Sequence, residues 1–239
     1  MYGNIKLRLT AMSFLQFFVW GAWLITIGIY CDKTLHWTFA EFGAIFSTMG
    51  LSALFMPTLI GFVADKWINA ERLYSILHLG NAVAMLVLPT VGDPAVFFWI
   101  VLVAMICYMP TLALSNSIAY QTLKSQNCDV IKIFPTIRVW GTIGWIVAGL
   151  SISFIFHWDA AENVAQGMLK NTFLLAGGAA LVLGLFSFTL PATPPKVSDE
   201  KIKIGDIIGL DALKLLKDKN FAVFFISSIL ICIPLAFYY

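Results

Sequence analysis

The chain has 239 residues, 60% of them hydrophobic and only 12% charged, with a formal net charge of +2. A soluble domain carries about 25% charged residues. Half that share cannot coat a globule of this size, so an ordinary cytosolic enzyme, a nucleic-acid binder and a disordered chain are excluded together. What remains is an integral membrane protein with the lipid bilayer as its solvent. Cys31, Cys107, Cys128 and Cys232 lack metal-ligand or CxxC spacing and read as packed thiols.

A bilayer core of about 30 Å requires about 20 apolar residues in a helix. Seven runs meet that length: 9–30, 42–64, 73–92, 95–122, 134–157, 172–191 and 220–239. Six contain no Asp, Glu, Lys or Arg, and the fifth contains only Arg138. Polar and small residues recur at the helical period and never alternate as in a membrane barrel, so the expected class is all-α. Lys6 and Arg8 ahead of the first run imitate a signal peptide, but no small-x-small cleavage site follows, and the run reads as a retained span.

The loops give the orientation. Lys6, Arg8, Lys66, Arg72, Lys124, Lys132 and six lysines between 196 and 219 fall on one side, against only Lys33 and Lys170 on the other. The positive-inside rule places the N-terminus in the cytoplasm. Residues 1–191 thus form a six-span bundle, 192–219 a cytoplasmic linker, and 220–239 a seventh span. Within the linker, Ile207, Leu210, Leu213 and Leu216 interleave with Asp211, Lys214, Lys217 and Asp218, which predicts a short amphipathic helix on the membrane surface. Six spans, a linker and a further span suit a two-bundle transporter. Ending on apolar Tyr239 without a polar tail, the chain reads as the N-terminal fragment of a longer protein.

No span carries paired carboxylates, a Ser/His/Asp set, an HExxH pair or a phosphate loop, so catalysis and a cofactor are not expected. His78 and His157 stand alone and read as packed or interfacial residues. Between runs 2 and 3, Gly61-Phe-Val-Ala-Asp65-Lys66 followed by Arg72 resembles the cytoplasmic motif of the major facilitator superfamily, whose acidic and basic groups latch that face. The resemblance makes Asp65 and Arg72 the latch candidates, and Gly61 is expected to allow close helix approach. Trp67 to Glu71 departs from the usual second half of the motif, and an ordinary charged turn would look alike.

The segment Phe134-Pro-Thr-Ile-Arg138-Val-Trp-Gly141-Thr142-Ile-Gly144-Trp145 says more. An arginine inside a span is expensive and should face a wet cavity or a partner. Arg138, Thr142 and Trp145 stand at i, i+4 and i+7, on one helix face. Guanidinium donors, a hydroxyl and a large π surface are the groups needed to hold a nucleoside's hydroxyls and carbonyls and to stack its base. The same residues also admit a snorkelling Arg138 with Trp145 as packing.

This segment resembles the nucleoside:proton symporter family of the major facilitator superfamily, the bacterial nucleoside permeases. So do Ser13-Phe-Leu-Gln16-Phe, Trp20-Gly-Ala-Trp23, Met56-Pro-Thr-Leu, Ala64-Asp65-Lys66-Trp67, Tyr108-Met-Pro110-Thr-Leu and Gly209-Leu-Asp211. The resemblance implies two six-helix bundles holding a nucleoside between them, alternating access, a proton as coupling ion and residence in the bacterial inner membrane. Carried over, Arg138 and Thr142 become nucleoside contacts, and Trp145 stands where a relative has Phe. Gln16 and Trp20 in span 1 and Asn116 and Tyr120 in span 4 are second-tier candidates on cavity-lining helices, equally readable as packing or helix-binding groups. In span 7 the family's polar amides align with Ala236 and Tyr239, which leaves the nucleoside preference open and makes Tyr239 a further candidate. The coupling carboxylate is expected outside this chain, since no span has one. Two other readings fit the same residues: a major facilitator for another small polar metabolite such as a sugar, and a non-transporting membrane scaffold.

Overall fold

The computed structural model describes residues 2–195 and 214–238, which fall into two units, one up to Lys196 and one from Val197 onward. The first unit is built on six long helices. These are α1 (Tyr2–Leu24), α2 (Phe39–Lys66), α3 (Ala70–Val87), α4 (Pro94–Ser125), α5 (Val130–Leu150) and α6 (Asn171–Ser187). With their flanking turns all six are long and apolar enough to cross a membrane.

Each of the six helices starts ahead of its hydropathic run, and polar caps set three of those starts. Thr38 caps α2 in a capping box with Glu41: Thr38 N–H donates to Glu41 Oε2 at 2.7 Å, and Glu41 N–H donates to Thr38 Oγ1 at 3.3 Å. Asp93 caps α4 ahead of Pro94, and Asp129 caps α5, each carboxylate accepting a backbone N–H three residues on. Past Leu24 the first span continues through Ile27–Ile29 into a π-helical turn, Tyr30–Thr34, and α5 likewise runs into a π-turn at Ser151–Ile155. His36 and His157 then adopt positive φ at the two helix exits.

The packing has an internal symmetry. Helix α1 packs extensively against α5 and α6, α4 against α2 and α3, and α3 against α6. Exchanging 1 with 4, 2 with 5 and 3 with 6 returns the same set of pairs, the pattern of two three-helix repeats. Arg8 on α1 donates to the Thr189 carbonyl beyond α6 at 2.6 Å, and Ala70 N–H at the start of α3 donates to the Thr193 carbonyl at 3.1 Å. Those helix ends, which carry the basic residues, therefore share one side. Aromatic contacts of Tyr30, Trp37, Phe97 and Phe173 close the other side.

Gly144 lets α1 and α5 touch: a Cβ there would collide with the Phe14 carbonyl, and one at Gly21 would meet the Trp145 carbonyl at 3.0 Å. Gly61 does not meet its expectation. A Cβ there would meet nothing within 4 Å, because α2 lies largely at the periphery of this unit.

In the second unit, Lys214–Lys217 forms a 3₁₀ turn and α7 (Lys219–Tyr238) follows, with Asp218 Oδ1 accepting from the Asn220 and Phe221 amides. Residues 206–213 of the expected amphipathic helix lie outside the described residues, and so does Tyr239.

Candidate functional site

Helix α5 is continuous from Val130 to Leu150, so Arg138, Thr142 and Trp145 share a face as their spacing requires. Thr142 is exposed, while Arg138 and Trp145 are half-buried against α1. The Arg138 guanidinium carbon lies 4.0 Å over the centroid of the Phe17 ring, a cation–π contact. One turn along α1, Trp20 meets Trp145 edge-on at 5.7 Å and Tyr108 of α4 at 5.5 Å. The indole Nε1 of Trp20 is buried and has no acceptor among the described residues. Three helices thus contribute one aromatic wall, with a cation at one end and a hydroxyl on the α5 face.

Asn116 joins this region. It borders the same small cavity as Arg138, together with Ser13, Phe17, Ser115 and Phe134. Tyr120, 41% exposed, meets the Phe134 ring at a tilt with centroids 4.4 Å apart, one helical turn before Arg138. Two second-tier residues therefore extend the wall toward the basic end.

Gln16 has a different place. It is fully buried at the crossing of α1, α3 and α4. Its Nε2 donates to Thr111 Oγ1 at 2.9 Å, and its Oε1 accepts from the Tyr74 hydroxyl and from His78 Nε2, the latter at 2.9 Å. Tyr108 donates to the Gln16 carbonyl at 2.7 Å. Since Oε1 is an acceptor, His78 carries its proton on Nε2. Every polar atom of the Gln16 amide is engaged, which fixes α1 against its neighbours one residue before Phe17. His78 is the packed residue that its isolation in the sequence implied.

At the basic end, Asp65 and Arg72 are both exposed and form no ion pair with each other. The buried carboxylate there is Glu71. It accepts from Thr193 N–H at 2.8 Å, Thr193 Oγ1 at 2.6 Å and Asn69 Nδ2 at 3.0 Å. The turn between α2 and α3 is thereby tied to the segment that leaves α6.

Residues 3–239 match the family described as Nucleoside H+ symporter. The chain belongs to the nucleoside H+ symporter family. Among its relatives, the xanthosine permease of Escherichia coli K12 is 39% identical over 228 residues, which cover 95% of this chain and 52% of the permease. The nucleoside permease NupG of the same strain is 40% identical over 230 residues, with 95% and 52% covered. A crystal structure of the nucleoside transporter NupG superposes with a TM-score of 0.78 at 38% identity, and that of a NupG mutant with 0.82, each covering 95% of this chain and 54% of the other. The chain spans about half the length of the curated relatives it matches.

For this member of the nucleoside H+ symporter family, helical spacing puts Arg138, Thr142 and Trp145 on one face but says nothing of Phe17, Ser13 and Ser115, which surround Arg138. Phe17 sits in a run of aromatics, and nothing in its local pattern says that α1 lies on α5. Glu71 carried a signal: it is the acidic residue that interrupts the expected motif after Lys66.

Proposed function

We propose that this chain supplies the N-terminal half of a proton-coupled nucleoside transporter, with a six-span bundle at 1–191, a cytoplasmic linker at 192–219 and the first span of a second bundle at 220–239. The protein resides in the bacterial inner membrane with its N-terminus in the cytoplasm and moves nucleosides by alternating access. Arg138 and Thr142 hydrogen-bond the sugar hydroxyls or base carbonyls, and Trp145 offers its ring to the base. Trp20, Asn116 and Tyr120 border the path, and Tyr239 is a candidate from the next span. Gln16 acts from the second row by fixing α1. Asp65 and Arg72 pair as the cytoplasmic latch in another state of the transport cycle.

The observation that carries this reading is the α5 face itself. A cation within a span is costly unless it serves a partner or a wet cavity. Helices α1, α4 and α5 contain no acidic residue to neutralise Arg138. A nucleoside presents the acceptors that such a group lacks, and the neighbouring indoles present π faces that suit a base. In these six spans acidic side chains occur only at the helix ends, so the coupling carboxylate belongs to sequence outside residues 1–239.

The test is uptake of radiolabelled uridine and adenosine into proteoliposomes holding the full-length transporter, with an imposed inside-alkaline gradient. The reading requires gradient-stimulated uptake that excess unlabelled nucleoside abolishes and excess sugar leaves intact. Uptake blocked by sugar and indifferent to nucleoside would contradict it.

A further inference from the structure

An arginine in a low-dielectric span usually acquires a carboxylate. Arg138 has none. Among the described residues it makes no ion pair and no hydrogen bond, and its guanidinium rests on the Phe17 ring instead. The place it occupies exists because residue 141, three positions on, has no side chain. A Cβ at Gly141 would stand 2.6 Å from Phe17 Cδ2, 2.8 Å from Arg138 Nη1 and 3.1 Å from Phe17 Cε2. These contacts differ from those of Gly144, where the obstacle is the backbone of α1. At Gly141 the obstacle is the cation–π pair itself.

We propose that Phe17 and Gly141 are positioning residues for Arg138: Gly141 leaves the notch into which the guanidinium folds, and the Phe17 ring holds it there. The inference rests on the reading of Arg138 as a substrate contact. An aromatic ring attracts a cation without accepting conventional hydrogen bonds from its N–H groups as a carboxylate would. Arg138 is thus held in orientation while its five N–H donors stay available to a neutral, hydroxyl-rich ligand. A carboxylate in the same place would engage two of those donors in a bidentate pair and compete with such a ligand. Gln16, locked by the α3 and α4 side chains, keeps the next residue, Phe17, in register.

The experiment is modification of the detergent-purified full-length transporter by the arginine-selective dicarbonyl phenylglyoxal, quantified by peptide mass spectrometry at Arg138 with Arg8 and Arg72 as internal references. In Phe17→Leu and Gly141→Ala, Arg138 is expected to react about 2- to 30-fold faster relative to the references, the range that a cation–π hold implies. Phe17→Tyr, which keeps a ring, is expected to retain the slow rate. The KM for nucleoside uptake should rise by a similar factor in Phe17→Leu, with little change in maximal rate. Unchanged Arg138 labelling in both Phe17→Leu and Gly141→Ala would overturn the proposal, as would a Phe17→Tyr protein whose Arg138 reacts as fast as in Phe17→Leu. Because labelling needs no substrate, a wild-type protein that fails to carry nucleoside refutes the transport reading alone, and the labelling still decides the role of Phe17 and Gly141.

Discussion

Gln16, Tyr74, His78, Tyr108 and Thr111 lie where two apolar clusters of the bundle meet, one around Leu9, Tyr74 and Ile118, the other around Trp23, Tyr108 and Phe173. Polar groups at that depth are tolerated because each Gln16 atom has a partner, and the consequence is a graded sensitivity to substitution. Tyr74→Phe removes one donor and leaves Gln16 Oε1 with His78, so a loss of about 1 kcal/mol is expected. Gln16→Leu strands both His78 and Tyr74, while the Thr111 hydroxyl keeps its bond to the Tyr108 carbonyl, and should cost about 2–5 kcal/mol. Thermal unfolding in detergent separates the two, and equal losses would mean that the amide does not organise the cluster. A polar residue at depth was legible from the sequence in Gln16. Its partners were not, because they come from positions 58, 62 and 95 residues away in the chain.

Among the elements, the crossing of α1 and α5 depends on backbone contact. Gly144→Ala puts a methyl into the Phe14 carbonyl and must push the helices apart, whereas Gly43→Ala and Gly50→Ala on α2 meet open space. Folded yield by size-exclusion chromatography is expected to collapse for Gly144→Ala and to hold for the other two; three similar yields would contradict this crossing. The exit from α6 depends on Glu71. In Glu71→Ala the Thr193 amide loses a charge-assisted partner worth about 1.5–3 kcal/mol. Its hydrogen exchange should quicken by about tenfold or more, while amides in the middle of α3 stay protected. The spans themselves were readable from hydropathy because lipid demands length and apolarity. Their true ends were less so, since Thr38, Asp93 and Asp129 are polar caps that a hydropathic window discards. The expectation for Gly61 failed for a related reason: a small residue signals close approach only where a neighbouring helix stands.

For the whole molecule, the symmetric pairing of α1–α3 with α4–α6 and the one-sided basic residues make a topology that impermeant maleimide can read. In a background with its cysteines replaced, Lys124→Cys should label only in inverted vesicles and Lys170→Cys only in spheroplasts, and the reverse pattern would invert the orientation. The proposed function rests on Arg138, whose helical company with Thr142 and Trp145 was legible from spacing alone. Its hold on Phe17 had to be seen in three dimensions. Radiolabelled nucleoside uptake by cells producing the full-length transporter with Arg138→Ala, at membrane levels matched to wild type, tests the account most directly. The expected result is loss of saturable uptake, and uptake equal to wild type would contradict it.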